Sequence, residues 1–521
     1  MNKDHVFLSE YNDQIAFTLG CFDRVICKGH LRQLCYTQGV CQFVDYTLRI
    51  KRMDFMPWAK VHSQRLIEHA EKVAQQENRP FVFLRGAQRK EAVAAGLLRT
   101  QRMTEGLVCV LRCMEHCPSY RLVKAKGRPT FARACPPALV FYFYYLDPQL
   151  GLIHIRVPTL FPWSIQIAVN GHDYLAQQMG REKMAFEQHD NAFVQIDDPV
   201  QAQQLAGGFL DALSPTRLRQ LALRVLPPLQ DVLASMAHGW VIDQAEFSTD
   251  LVFRDPQQLA ELYPRLVDHA VLSFKAPDIL GFLGRKLYAQ FDGEVLTDCK
   301  KDRQQGTRVK HRMKGNWIKM YDKMGRMLRI ETVINNPREF KVRRRRKRDG
   351  QQVMTWVPMN KGVGNLYRYR EACQNANDRY LQALAAVKPL PQAVQQAARD
   401  LKRLGESLRQ NDRPYAGFNP ARAADLTLFQ ALCQGQHLLN GFRNADLRIQ
   451  LFPPVSENPD QRRRHSAAVG RMLKRLHVRG LVLKVPHTRR WYLNPRGRYL
   501  FTELLRAHHL FTTPPTLPMA A

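Results

Sequence analysis

The sequence predicts a multidomain α+β protein, and three observations carry that prediction. Its 521 residues are more than one hydrophobic core organises. Two blocks, around 107–179 and 240–342, are rich in short apolar runs and apolar–polar alternation, the pattern of strands. Between and after them, apolar residues recur at the 3.6-residue spacing of helices. Hydrophobic residues make up 45% of the chain, enough to form cores throughout.

Residues 1–105 form a mixed α/β region, with a helix at His62–Glu77 and a strand in PFVFLRGA (Pro80–Ala87). Residues 106–180 are strand-rich: LVCVLRCM, ALVFYFYYL, LIHIRV and SIQIAV are separated by prolines and by Asn170-Gly171. Residues 181–240 read as helices, at Gln201–Leu213 and Leu218–Met236. Residues 241–348 hold a second sheet, with the strand VIDQAEFSTDLVF, a hairpin over Asn316–Ile334 and an exposed arm, Lys341–Arg348. Seven of the eight arm residues are Lys or Arg. Residues 349–419 supply a helical connector (Leu366–Val387 and Pro391–Leu408) and a linker, Asn411–Pro420. Residues 420–512 form a C-terminal domain, followed by the tail TTPPTLPMAA.

Charge narrows the function. Seventy-eight Lys and Arg stand against 46 Asp and Glu, a formal net charge of +32. The commonest partner of such a field is a phosphate backbone. Met1–Gln14 contains Asp4, Glu10 and Asp13 and no apolar signal core, and the longest apolar run, Ala138–Leu146, is too short for a bilayer. Eleven cysteines are an odd number for a disulfide scaffold. These features predict a cytoplasmic protein with reduced thiols and no membrane partner. No P-loop, Gly-rich dinucleotide fingerprint, nucleophile elbow or zinc-protease motif occurs, so ATP-driven and hydrolase readings have no support.

In the C-terminal domain, Asp425 is placed to cap a helix that Gly435 ends, and Asn444 or Asp446 begins a short second helix. A third runs from Ser466 to Leu476, with Val469, Leu473 and Leu476 on one face and Arg471, Lys474 and Arg475 elsewhere. Two strands, LVLKV and RWYLN, flank the tip Pro486–Arg489, and an amphipathic helix closes the domain. That order is the order of a winged helix-turn-helix. The pattern VGRMLKRLHVRGLVLKV…TRRWYLNPRGR resembles the MarR-like class of bacterial winged-helix modules. The resemblance implies that the third helix enters the major groove while the wing touches the backbone. Ala421–His509 holds 16 Lys or Arg against 5 Asp or Glu. The DNA-contacting candidates are Arg462, Arg463, Arg464, Ser466, Arg471, Lys474 and Arg475 on the helix and Arg489 and Arg490 on the wing, with Lys323, Arg343 and Arg344 in the central region.

The central hairpin alternates strictly. A turn at Met324-Gly325-Arg326 pairs Lys323 with Met327, Tyr321 with Arg329 and Lys319 with Glu331, placing these polar side chains on one face and Ile318, Met320, Leu328 and Ile330 on the other. Such a face suits phosphate, with Glu331 as a metal ligand or base; an ordinary exposed sheet face with cross-strand ion pairs is the alternative. The order YDK…LRIE resembles a strand pair of replication-initiator proteins from rolling-circle plasmids and filamentous phages. That resemblance implies nicking of one DNA strand by a tyrosine and a divalent metal. Catalytic candidates are Glu331, Tyr321, Lys319 and Arg329, with Tyr367, Tyr369 and Tyr380 as other phenols. The chain lacks a His-hydrophobic-His pair, since His154 and His311 stand singly. Carboxylates must therefore hold any Mg²⁺ or Mn²⁺, and Glu246, Asp250 and Glu331 are the candidates. Cys109, Cys113, Cys117 and Cys135 are candidates for a structural zinc.

The expected function is that of a DNA-binding protein of a mobile element or replicon, recognising a site through its winged helix and nicking or processing a strand with its central sheet. The alternative is a non-enzymatic winged-helix transcriptional regulator or nucleic-acid-binding protein. RNA as partner and a homodimer both stay open.

Overall fold

A computed structural model describes residues 6–85, 88–101, 103–125, 127–233, 236, 238–286, 291, 293–302, 306–348, 351–387, 401–420, 422–435, 437, 441–452, 458–486 and 488–512. The chain is α+β. Its contacts divide it into two units, one of Leu19–Ser248 with Val333–Glu371, the other of Met1–Thr18, Thr249–Thr332 and Ala372–Ala521. Among the described residues no helix is long and apolar enough to cross a membrane.

The first unit is built on strand β1 (Ile15–Leu31, from Leu19 onward), helix α1 (Phe55–Gln76), and strands β2 (Phe81–Phe83), β3 (Gly106–His116), β4 (Pro137–Asp147), β5 (Gly151–Pro158) and β6 (Ile165–Val169). Helix α2 (Gly171–Arg181) and the start of β7 (His238–Phe253, up to Ser248) complete its frame, with the strands ordered β7-β1-β6-β5-β4-β3-β2. Nearly every residue of β4 is buried, the reason its sequence is a continuous apolar run rather than an alternating one. Helix α1 buries Phe55, Ala59, His62, Leu66, Ala70 and Ala74, one face at helical spacing. Asn170 caps α2 by accepting from the His172 and Asp173 amides. A Cβ on Gly171 would collide with the Phe22 carbonyl, so glycine lets this helix start directly against β1.

The span 181–240 is not helical throughout. A hairpin, Phe186–His189 with Ala192–Ile196, occupies part of it. The helix expected over Leu218–Met236 ends at Leu223, before Pro227-Pro228, where successive prolines remove two backbone donors.

The second unit contains α3 (Pro256–Ser273), β8 (Val295–Asp302), β9 (Gly306–Met313), β10 (Asn316–Lys323) and β11 (Met327–Ile334, up to Thr332), ordered β8-β9-β10-β11 beside the end of β7. Helix α3 interrupts a block expected to be strands; Asp255 caps it and Leu259, Leu262, Leu266 and Ala270 form its buried face. The expected arm is a two-stranded ribbon of the first unit, β12 (Lys341–Arg348) with β13 (Gln351–Pro358). Helix α4 (Leu366–Leu384) follows. The expected helix Pro391–Leu408 falls largely outside the described residues. A short hairpin, Leu408–Gln410 with Arg413–Tyr415, lies at the expected linker.

The C-terminal segment, also in the second unit, runs α5 (Ala423–Leu432), β14 (Phe442–Arg443), α6 (Asn444–Leu451), α7 (Pro459–Val478), β15 (Val482–Lys484), β16 (Arg490–Leu493) and α8 (Pro495–Thr512). Its three strands form one small sheet, β14-β16-β15. Leu428, Phe429, Leu447, Val469, Leu473, Leu476, Val482, Leu493 and Phe501 share one core with Leu404 and Phe418. The packed segment therefore begins before residue 420. Asp425 lies inside α5, where it accepts from the Asn419 amide, and the N-cap is Arg422.

Candidate nucleic-acid interface

Helix α7 begins about two turns earlier than its apolar pattern suggests, because Asn458 caps it and Pro459 occupies its first position. The extra length makes Arg462, Arg463 and Arg464 helical, and all three are exposed. Val469, Leu473 and Leu476 anchor one face, while Ala467, Gly470, Arg471 and Lys474 lie open on the other. A small-residue patch between cations lets a flat or grooved anionic surface approach the helix backbone. Arg489 at the strand connection is also exposed.

Two expected contacts turn inward instead. The Ser466 hydroxyl donates to Asn444 Oδ1 at 2.9 Å, and Asn444 Nδ2 returns a bond to the Ser466 carbonyl at 2.9 Å, which locks α6 to α7. Arg475 donates to the carbonyls of Ala416 and Gly417 and lies 3.9 Å over the Phe418 ring. Those contacts with Ala416, Gly417 and Phe418 make it a packing residue. Arg490 is half-buried on β16 opposite Arg443.

The central hairpin has the expected strands and turn, and its polar residues do share a face. That face is not an open basic surface. Tyr321, Lys323, Arg329 and Glu331 are all buried. Lys319 Nζ donates to Glu331 Oε1 at 2.6 Å and Tyr321 Oη donates to Glu331 Oε2 at 2.7 Å. The Arg329 guanidinium donates to both Asp250 oxygens at 2.6 and 2.7 Å. Glu331, Tyr321 and Lys319 are thus brought together, whereas Arg329 and Asp250 neutralise one another and have neither charge to spare for phosphate or metal.

The cationic surplus lies one strand away, on β9, in residues the sequence reading passed over. Arg308, Lys310 and Arg312 face the same side as Lys319, with Lys310 directly opposite Lys319 and Arg312 opposite Trp317. Arg312 is bridged to Asp298 at 2.9 Å, and the Lys310 ammonium stands 3.9 Å over the Trp317 ring. Burial and the neighbouring cations Arg312, Lys319 and Arg308 bring the Lys310 ammonium down to about 8. Their alternation in GTRVKHRM was the available signal.

Comparison of the chain with protein-family models, curated proteins and solved structures finds no match.

In the first unit the candidate ligand Glu246 has a neighbour that sequence separation hid. Asp23 and Glu246 are both buried, and each offers a carboxylate oxygen within 4.8 Å of the other's. Adjacent strands β1 and β7 carry them. His172, at the start of α2, places Nδ1 3.4 Å from Asp23 Oδ1 and Nε2 3.5 Å from the Ser248 hydroxyl. Arg24 donates to Glu246 at 2.8 Å, and Asn191 donates to Asp23. Burial, reinforced by Asp23 and Asp190, pushes the Asp173 carboxyl up to about 7. Two carboxylates of this separation are a suitable oxygen donor pair for a hard divalent cation. Among the other phenols, Tyr369 and Tyr380 are buried, and Tyr367 is exposed with Arg368 Nε donating to its oxygen.

The proposed zinc quartet does not assemble. Cys109 and Cys113 lie four residues apart on β3, roughly 13 Å along a strand, and one zinc cannot take both sulfurs at about 2.3 Å. Cys113 instead donates to Glu115 at 3.4 Å, and Cys117 accepts from Arg156 at 3.4 Å. Burial pushes the thiols of Cys109 and Cys113 up to about 12 and about 11. Cys135 is exposed. Against its own burial, bonds from Tyr142, Arg156 and Lys90 hold Glu115 down at about 2. This ion-pair network takes the place a metal was expected to fill.

Proposed function

We propose that the chain is a DNA-binding protein, of the kind a mobile element or replicon encodes, and that its C-terminal segment is a winged helix-turn-helix whose α7 enters the major groove. One observation carries the reading. Helix α7 exposes Arg471 and Lys474 on the side away from Val469, Leu473 and Leu476, which fix it in the core, and exposes Arg462, Arg463 and Arg464 along its first turns. The helix is thereby held with these cations outward, and the exposed Arg489 of the β15–β16 connection would supply the wing's phosphate contact. Arg308 and Lys310 give a second phosphate contact. Binding of the full chain to duplex DNA, measured across salt, tests this: several phosphate contacts require affinity to fall by about tenfold or more between roughly 50 and 200 mM salt.

A second reading, metal-dependent processing of a DNA strand, is favoured by the buried pair Asp23–Glu246, within 4.8 Å. Mg²⁺ or Mn²⁺ there would polarise a phosphoryl oxygen and activate the attacking group. Cleavage of a labelled strand that depends on either metal and is lost in Glu246→Gln supports it. Absence of cleavage with both metals leaves the non-enzymatic regulator.

A further inference from the structure

The ribbon β12–β13 is a structure of the first unit that the C-terminal DNA reading does not use. Its strands pair only with each other among the described residues, so both edges are free of further strands. Register places Arg343 opposite Trp356 and Arg345 opposite Met354, so these four side chains share one face. All four are exposed, Trp356 to 65% and Met354 to 48%. The Arg343 guanidinium lies 5.9 Å from the centre of the Trp356 ring. The other face is anchored at its base by buried Val357 and by Arg344, which donates to Asn365 Oδ1 at 3.4 Å. Arg344, a further DNA-contacting candidate, is exposed on this other face.

Leaving a tryptophan in water beside a methionine forgoes apolar burial unless something covers it. The occupant must be anionic, because Lys341–Arg348 holds seven Lys or Arg in eight residues. A flat π-face is the partner best suited to stack on the exposed indole. A nucleic acid strand meets both requirements, and a duplex meets only the first, since its base faces are covered by neighbouring bases. We infer that this ribbon grips single-stranded DNA, with a base stacked on Trp356 and flanking phosphates on Arg343 and Arg345. The choice of DNA rests on the function proposed above; the strand-binding geometry does not.

The test is fluorescence anisotropy of the full chain with labelled oligo-dT and, in parallel, with duplex DNA. Trp356→Ala should weaken oligo-dT binding by about tenfold, within the range of one lost base stack, with duplex affinity and Tm unchanged. Trp356→Phe should retain most of the affinity, and the pair Arg343→Ala with Arg345→Ala should lower it and flatten its salt dependence. Unchanged oligo-dT binding in Trp356→Ala, or equal losses on strand and duplex, overturns the inference. Displacement of oligo-dT by polyglutamate as effectively as by unlabelled strand also overturns it, assigning the ribbon to an acidic protein segment. If the full chain fails to bind duplex DNA while strand binding still depends on Trp356, the winged-helix reading falls and this one stands.

Discussion

Arg329 donates to both oxygens of Asp250 at 2.6 and 2.7 Å, and neither side chain reaches solvent. The most regular part of the central hairpin, whose alternation suggested an open phosphate surface, therefore encloses a complete ion pair. Removing one partner leaves an uncompensated buried charge, so Asp250→Ala should destabilise the full chain by about 3–5 kcal/mol. The double change Asp250→Leu with Arg329→Met should recover most of that loss. Chemical denaturation reads both values; a single variant as stable as wild type would contradict the pairing.

Lys310 gives the proposed phosphate contact a pH signature. Its ammonium is brought down to about 8 by burial and by the surrounding cations, so raising the pH from 7 to 9 discharges it. Affinity for duplex DNA should fall over that window more steeply than in Lys310→Met, which has no charge to lose. In the folded protein the charged form is the disfavoured one, so this group's effect on stability runs the other way. Its cost is full below about 8 and is relieved as pH rises toward the unfolded value near 10.5. Isothermal titration at several pH values separates the two; parallel profiles for wild type and variant would remove Lys310 from the interface.

Asp173 behaves in the opposite sense. Its carboxyl is pushed up to about 7 by burial and by Asp23 and Asp190, so the folded state holds the proton through a range where the unfolded state releases it. Stability from this group is fully present below about 4, is lost as pH rises, and is gone above about 7. Asp173→Asn should match wild type near pH 4 and exceed it at pH 8 by on the order of 2–4 kcal/mol. Equal thermal stability at both pH values would show that Asp173 ionises freely.

Because Cys109 and Cys113 lie too far apart along β3 to share a zinc, removing one should not change metal content. Cys113→Ala should leave zinc content unchanged and cost no more than a small core truncation, because Cys113 packs against Glu115 rather than a metal. Stoichiometric zinc lost together with stability would restore the quartet.

Much of the architecture could be read from period alone. Strands β3 to β6, the hairpin bounds and the apolar stripe of α7 all follow from side-chain spacing. Burial of the hairpin's polar face could not be read, because strict alternation is the same whether the polar side meets water or meets Asp250 across the sheet. Helix α3 was hidden by Pro264 in its interior, which breaks a helical pattern on paper but is accommodated in the fold. Asp23 and His172 are far apart in sequence, and only the close approach of Gly171 to Phe22 brings them together. The inward turn of Ser466 and Arg475 depends on partners, Asn444 and Phe418, that no local pattern announces.

The most direct measurement of the central claim is duplex-DNA affinity of the full chain with Arg471→Ala and Lys474→Ala combined, followed across salt. Both residues are exposed on α7 away from its anchoring face, so Tm should hold while affinity falls and the salt slope flattens by about two phosphate contacts. Duplex affinity and salt slope identical to wild type, in a variant of unchanged Tm, would contradict DNA recognition by this helix.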